Sequence, residues 1–143
     1  MLDSLVVEAN VIFAALIKKS DNFKLISLLP KLGIKLYSPE FVLEEIKKRE
    51  ERLLKFSGLN IFELRFLMNT LFKSVKSVSK SEYESFLMEA KAIFPEHPKD
   101  SAYFALALRL NIPLWSNEKL HENQPKVKVY STSKLLKELK LEE

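Results

Sequence analysis

The chain has 143 residues, which is long enough for one domain of ordinary size and too short for two. Hydrophobic residues make up 47% and charged residues 29%, so the composition predicts an ordered globular protein and excludes a disordered chain. The 23 Lys and Arg outnumber the 19 Asp and Glu and give a net charge of +4, which fits a polyanionic partner but equally fits plain solubility.

Residue types that are rare or absent exclude several kinds of site. The sequence has no Cys, which excludes disulfides, thiol catalysis and thiolate metal sites and fits a reducing compartment. With only 2 Gly, neither a GxGxxG motif nor a P-loop can be written. No apolar segment approaches the ~20 residues that span a bilayer, and the N-terminus lacks the features of a signal peptide. We therefore expect a cytoplasmic protein with no membrane span.

The first predicted elements alternate between short apolar strands and helices. A buried strand over residues 5–7 passes almost directly into a helix over 11–18. A helix over 22–32 ends near Gly33, which is a natural helix stop, and a strand over 34–37 follows.

A long helix is predicted next, over residues 39–56. Ser38 is its expected N-cap, Pro39 occupies its first position, and Gly58 closes it. The remaining predicted elements are helices over 61–72, 81–94, 99–110 and 131–139 and strands over 112–115 and 127–130.

Strands that alternate with helices predict an α/β fold with a parallel sheet flanked by helices. No repeat, low-complexity segment or linker divides the chain, so residues 1–143 are expected to form a single domain. Functional groups in such sheets gather beyond the carboxyl ends of the strands, which is where Glu8 and Asn10 stand in LVVEANVIFAAL. The simpler interpretation is that Asn10 only caps the first helix.

Three more acids stand at comparable places, and each also has a simpler explanation. Glu45 projects at the margin of the apolar stripe of its helix, where surface Glu residues also lie. Asp100 begins the apolar FALALRL helix, where a first-turn acid is often just a dipole or capping residue. Glu118 follows a strand in WSNEK, where a solvated loop residue is expected, with Ser116 or Asn117 as a cap.

Four acids that converge on one sheet edge would repel one another unless a cation neutralised them. Oxygen ligation favours Mg²⁺ or Mn²⁺, because the chain offers two His and no Cys. Such an ion polarises phosphoryl oxygens and activates water, which predicts phosphodiester hydrolysis. A Ser/His/Asp site is less supported, since neither His97 nor His121 stands in a nucleophile-elbow context.

These motifs resemble the PIN domain family of metal-dependent ribonucleases, which includes VapC-like toxins of toxin–antitoxin pairs, over nearly the whole chain. The family's acid and Asn after the first strand match VVEANVIFAAL, and its second acid, in LEEI, matches Glu45. Its third and fourth motifs match PKDSAYFALALRLNIPLWSNEK, with Asp100 before the ALAL helix and Glu118 after WSN. The resemblance implies a three-layer α/β/α fold with a central, mostly parallel sheet of four or five strands.

The resemblance also implies an endoribonuclease that uses Mg²⁺ or Mn²⁺ as its cofactor. Its implied catalytic and metal-binding residues are Glu8, Glu45, Asp100 and Glu118. Its implied supporting residues are Asn10, Ser116 and Asn117. The expected partners are RNA, an antitoxin protein and a second copy in a homodimer, and the apolar helix over 61–72 also favours the dimer.

Two departures from the family pattern leave an alternative open. The family usually has Asp where Glu8 and Glu118 stand, and Mg²⁺ demands nearly octahedral ligands at ~2.0–2.1 Å. A longer acid displaces the ligand atom, so the alternative is a noncatalytic module that binds RNA or a protein. His97 either contacts a phosphate or is an exposed loop residue, which is the simpler interpretation.

Basic residues offer a further expectation about RNA. A group that would follow an RNA backbone consists of Lys18, Lys19, Lys47, Lys48, Arg49 and Arg52. Charged runs on a helix face are more often simply solvated.

Overall fold

The computed structural model describes residues 2–17 and 21–140. Five strands in this part of the chain form one sheet: β1 Ser4–Val7, β2 Lys35–Pro39, β3 Val75–Val78, β4 Leu114–Trp115 and β5 Val129–Tyr130. Their order is β3-β2-β1-β4-β5, and each neighbouring pair is parallel. This agrees with the predicted central, parallel sheet.

Helices cover the sheet on both faces, as predicted. The helices are α1 Ala9–Ile17, α2 Asp21–Leu28, α3 Glu40–Lys48, α4 Glu50–Ser57, α5 Ile61–Ser74, α6 Lys80–Tyr83, α7 Leu87–Ile93, α8 Ser101–Leu110 and α9 Thr132–Glu138. α8 packs against β1 and β2 and contacts α6 and α7, while α1 contacts α2, α4 and α5. The three-layer α/β/α fold class is thus confirmed. None of the helices in the described ranges is long and apolar enough to cross a bilayer.

The core lies along the central strand. Leu5, Val6 and Val7 of β1 are fully buried because β1 has strands on both sides and helices over both faces. The apolar α8 is buried along most of its length, as its sequence predicts, and Trp115 of β4 is fully buried beside it. This packing fixes the ends of β1 and β4 relative to the start of α8.

The predicted cap of the long helix is wrong. Ser38 belongs to β2, where it is fully buried, and its hydroxyl donates to the carbonyl oxygen of Val7 at 3.0 Å. Pro39 has φ −57° and ψ 140°, an extended conformation that a proline ring readily adopts, so it ends the strand instead of opening the helix. Ser38 therefore ties the carboxyl ends of β1 and β2 together.

Two predicted helices are divided. The helix predicted over residues 39–56 is two helices, α3 and α4, which meet at Arg49. The N–H of Arg49 donates to the carbonyl oxygens of Glu45 and Ile46, which closes α3, and Gly58 ends α4 at φ 74° as expected. The helix predicted over residues 81–94 is interrupted by a 3₁₀ turn between α6 and α7.

The edge strand β3 is not predicted by the hydrophobic pattern. Only Val75 of its four residues is fully buried, because β3 lies at the edge of the sheet and two of its side chains are exposed.

The helix α5, which precedes β3, begins with a capping box. The Asn60 side chain accepts the Glu63 N–H at 2.9 Å, and the Glu63 side chain accepts the Asn60 N–H at 3.0 Å.

Candidate metal centre

The site lies where the strand order reverses. The chain leaves β1 for β2 and β3 and later returns to the other side of β1 as β4, which makes the gap between β1 and β4 a topological switch point. Ligands bind in such crevices, beyond the carboxyl ends of the strands. Glu8 follows β1 directly, and its N–H donates to the carbonyl oxygen of Trp115 at 3.1 Å. Glu8 is thereby placed beside the loop that follows β4.

A buried histidine joins two of the acids. A short 3₁₀ helix, Lys119–Glu122, places the His121 side chain in the interior, where it has no exposed surface. Its Nε2 atom lies 3.0 Å from Oδ2 of Asp100 and 3.4 Å from Oε2 of Glu118. One ligand atom from each of these three residues lies within 4.8 Å of the others. Asp100 and Glu118, which are 18 residues apart in the sequence, therefore meet around His121.

Glu8 forms the buried part of the same cluster. Its residue surface is only 5% exposed, and its Oε1 atom accepts the N–H of Asn10 at 3.1 Å. Its Oε2 atom is buried with no hydrogen-bond partner in the described part of the chain. Burial raises the pKa of Glu8 above its ordinary value; the Asn10 N–H and His121 oppose this shift, and the charges of Glu118 and Asp100 add to it. An ionised Glu8 is thus costly here unless a cation compensates it.

Asp100 occupies the N-cap position of α8, as its simpler interpretation expects, whereas Asn10 lies inside α1 and not at its cap. Among the described residues, the Asp100 carboxylate makes no capping hydrogen bond and contacts His121 instead. Asn10 lies inside α1 with its side chain exposed, and it holds Glu8 through its backbone N–H. Both residues therefore orient groups of the cluster.

Ser116 and Asn117 support the loop after β4 in different ways. The buried Ser116 hydroxyl lies 2.7 Å from Nδ1 of His121 and accepts the N–H of Glu118 at 3.1 Å. The exposed Asn117 side chain accepts the Thr132 N–H at 2.8 Å and donates to Thr132 Oγ1 at 3.0 Å. Ser116 thus orients the cluster itself, whereas Asn117 fastens its loop to α9.

Glu45 is not brought into this group. It lies on α3, its side chain is 43% exposed, and its Oε2 atom is 3.3 Å from Nε of Arg49 one turn further along. Among the described residues, the side-chain charges that shift the pKa of Glu8 are those of His121, Glu118 and Asp100. A ligand role for Glu45 stays a prediction.

Sequence reasoning missed His121 and Tyr103. His121 lies three residues after Glu118, and in a 3₁₀ turn this spacing places both side chains on the same side of the turn. The sequence around His121 gives no indication that the ring is buried. Tyr103 lies three residues after Asp100, and burial followed by the charge of Glu8 raises the pKa of its hydroxyl well above the usual value. The Tyr103 side chain therefore stands near the acids.

Among the described residues, no hydrogen bond or ring contact joins the side chains of the other expected residues to the cluster. His97 is exposed in the loop before α8, in agreement with its simpler interpretation. Within the basic group, Lys18 and Lys19 lie outside the described residues. Lys47 and Arg52 are placed over the rings of Phe72 and Phe56, 5.1 and 6.0 Å from the ring centroids.

The cluster suits a divalent cation. It contains three carboxylates and one imidazole, and one buried carboxylate oxygen has no donor among the described residues. Carboxylates bind Mg²⁺ and first-row divalent ions, and imidazole binds first-row transition ions. The donor set and the unsatisfied oxygen therefore fit such an ion.

Comparisons with known proteins agree with this fold. A family model described as "PIN domain" matches residues 6–140. The structure is similar to the crystal structure of VapBC2 from Rickettsia felis bound to a DNA fragment from their promoter, with a TM-score of 0.68 and 12% identity. That similarity covers 90% of this chain and 98% of the other, and at this identity it shows the fold alone. A search of curated proteins gave no match. Because the family model spans nearly the whole chain, the protein belongs to the PIN domain family.

Proposed function

We propose that this protein is a divalent-metal-dependent endoribonuclease and the toxin of a toxin–antitoxin pair. The observation that carries the proposal is the convergence of Glu8, Asp100 and Glu118 on His121 at the switch point of the sheet. Side chains so placed face the crevice in which parallel sheets bind their ligands. Such an enzyme would act in the cytoplasm, in keeping with its Cys-free sequence.

The three carboxylates would hold the ion, which we expect to be Mg²⁺ or Mn²⁺. When bound, a divalent ion neutralises phosphate charge and activates water for hydrolysis. Glu8 would act from the buried side, whereas Glu118, whose side chain is 52% exposed, stands on the solvent side where a phosphodiester would approach. Ser116 and the Asn10 N–H would keep the ligand groups in place. Glu45 enters this set only through the resemblance.

A basic groove supports RNA as the substrate. Lys48, Arg52 and Lys55 line an open groove with the ring of Phe56, whose residue surface is 65% exposed. Lysine and arginine bind phosphates without regard to sequence, and an exposed aromatic ring offers a surface on which a base stacks. The groove lies along α4, which follows the helix that carries Glu45.

An apolar surface supports protein partners. Phe62 and Phe66 of α5 are 81% and 68% exposed, and with Phe23 and Leu59 they line a cavity of about 400 Å³. Exposed aromatic groups of this size mark protein interfaces. The similar structure is that of VapBC2 bound to a promoter fragment, which supports an antitoxin as one partner here; a second copy of the chain is the other.

A second candidate function is a noncatalytic module that binds RNA or a protein. The observation that favours it is the presence of Glu at positions 8 and 118, where the resemblance leads one to expect the shorter Asp. Calorimetric titration of the folded protein with Mn²⁺ and Mg²⁺ separates the two candidates. Saturable binding of either ion is the expected result; the absence of binding at millimolar concentration would favour the noncatalytic module. A small antitoxin reading frame beside the gene would support the toxin assignment independently.

A further inference from the structure

We propose that His121 is itself a metal ligand through its Nε2 atom, which would make the centre a mixed nitrogen–oxygen site selective for Mn²⁺ and other first-row transition ions over Mg²⁺. The inference rests on the proposed function. It goes beyond an all-carboxylate centre, because it changes both the donor set and the expected choice of ion.

The distances at Nε2 match those between ligands of one ion. At metal–ligand lengths of about 2.1 Å, neighbouring ligand atoms lie about 3.0 Å apart in an octahedral site and about 3.4 Å apart in a tetrahedral one. Nε2 of His121 is 3.0 Å from the Asp100 oxygen and 3.4 Å from the Glu118 oxygen. Both distances from Nε2 therefore fall in the range that separates neighbouring ligands of one ion, and all three ligand atoms lie within 4.8 Å of one another.

The other ring nitrogen is held as metal-binding histidines require. Nδ1 lies 2.7 Å from the Ser116 hydroxyl oxygen, which also accepts the N–H of Glu118 at 3.1 Å. A hydroxyl oxygen has two lone pairs, so it can accept both N–H groups. A hydrogen bond from Nδ1–H leaves the Nε2 lone pair directed toward the carboxylates, the arrangement that second-shell partners impose on ligating histidines.

A second observation at the same place also points to a cation. Glu8 is 95% buried, and its Oε2 atom has no hydrogen-bond partner in the described ranges. Its carboxylate interacts electrostatically with His121, Glu118 and Asp100, so it belongs to the same cluster. Three ionised carboxylates place several negative charges in one small volume, and a divalent ion would compensate most of that charge.

The presence of an imidazole predicts which ions bind best. Oxygen ligands alone suit Mg²⁺, whereas an imidazole nitrogen favours ions later in the first transition row, in the order Mn²⁺, Fe²⁺, Co²⁺. The competing interpretation is that His121 only donates a hydrogen bond from Nε2 to Asp100. In that case the proton on Nε2 excludes the metal, and the site keeps the preferences of carboxylates.

Pulsed electron paramagnetic resonance of bound Mn²⁺ tests the proposal directly, because it detects a coordinated ¹⁴N nucleus. The chain has only two histidines, and His97 is exposed, so the His97→Gln variant leaves His121 as the sole imidazole without altering the buried cluster. We expect the Mn²⁺-loaded variant to show the nitrogen coupling of one directly coordinated imidazole. Saturable Mn²⁺ binding without that coupling would overturn the role of His121 and leave the proposed function intact.

Affinity measurements provide the second arm. We expect His121→Asn, made in the His97→Gln background, to lower Mn²⁺ and Co²⁺ affinity at least about tenfold and Mg²⁺ affinity much less. An equal loss for all three ions would contradict the proposed selectivity. If the variant does not fold, the spectrum of the His97→Gln protein still decides the question. A failure of the His97→Gln protein to bind any of these ions would overturn the proposed function together with this inference.

Discussion

The Nε2 atom of His121 lies 3.0 Å from the Oδ2 atom of Asp100, although 21 residues separate the two in the chain. Asp100 immediately precedes α8, and His121 stands in the turn after β4, so this pair joins the start of a core helix to the switch point of the sheet. The same nitrogen approaches Glu118. Changes to any member of this cluster should therefore alter ion binding more than they alter the fold.

The buried Glu8 should make the metal-free protein less stable as the pH rises. Its pKa in the folded state is raised above the ordinary value of 4.5, so the folded state binds the proton more tightly than the unfolded state. Protonated Glu8 therefore contributes to the free energy of unfolding below about pH 4.5. This contribution is lost as the pH rises through the folded-state pKa and Glu8 ionises in its buried position. Glu8→Gln should remove that loss.

Urea unfolding between pH 4.5 and 8 in the presence of a chelator measures this effect. We expect Glu8→Gln to be more stable than the wild type at the upper end of the range and to show the flatter pH dependence. The same pH dependence of the unfolding free energy in both proteins would show that ionisation of Glu8 does not destabilise the folded state.

The Thr132 hydroxyl should stabilise the loop after β4. It accepts the indole N–H of Trp115 at 3.1 Å and donates to Oδ1 of Asn22 at 2.7 Å. Trp115 is fully buried, so Thr132→Val, which keeps the shape, would leave its N–H without this acceptor. We expect a loss of about 1–3 kcal/mol in the free energy of unfolding.

The matched control is Thr70→Val. Thr70 lies in α5, and its hydroxyl donates only to the Phe66 carbonyl oxygen one turn earlier among the contacts of the described residues. This change should cost no more than about 0.5 kcal/mol. Denaturant unfolding of the two variants checks the comparison, and equal effects would argue against a special role for the Thr132 network.

The fold was largely predictable because its signals are local. The apolar runs of β1 and α8 and the positive-φ glycine after α4 each act over a few residues, and each was predicted correctly. β3 was missed because an edge strand with two exposed side chains lacks the apolar pattern of a buried strand. Ser38 was assigned to a helix because a Ser–Pro pair is ambiguous until the partner of its hydroxyl, on the neighbouring strand, is known.

The site was predictable only in part because it depends on tertiary contacts. Motif order indicated Glu8, Asp100 and Glu118, which the fold brings together. The 3₁₀ turn Lys119–Glu122 places the His121 ring edge-to-face against Phe104 of α8, with 5.3 Å between the centroids. This burial depends on a contact with a distant helix, so no local sequence pattern predicts it.

The apolar surface on α5 should mediate self-association. Phe62 and Phe66 are mostly exposed beside the cavity described above, so replacing both by Ser should remove contact area without disturbing the core. In sedimentation at micromolar concentration, we expect a dimeric wild type and a variant of about 16.6 kDa. Phe56→Ser, on α4, is the matched control and should remain dimeric. A monomeric wild type, or a variant that still dimerises, would contradict this role.

The contribution of Glu45 can be compared with that of Asp100. Glu45 pairs with Arg49 and is absent from the charges of described residues that act on Glu8. Glu45→Gln should therefore lower Mn²⁺ affinity less than Asp100→Asn does. Calorimetric titration of both variants gives the ranking, and an equal or larger loss with Glu45→Gln would show that Glu45 reaches the ion.

Mn²⁺-dependent cleavage of single-stranded RNA by the wild type and by Asp100→Asn tests the central claim most directly. Asn has the size of Asp, and its amide can hydrogen-bond to His121 as a donor or as an acceptor, but the substitution removes a charge that the ion requires. Metal-free stability, measured alongside by thermal unfolding, should change by no more than about 1 kcal/mol. We expect the wild type to cleave RNA only with the ion and the variant to be at least about tenfold slower. Cleavage that survives undiminished in the folded variant, or a wild type that binds Mn²⁺ but cuts no RNA, would contradict the assignment of this cluster as a ribonuclease centre.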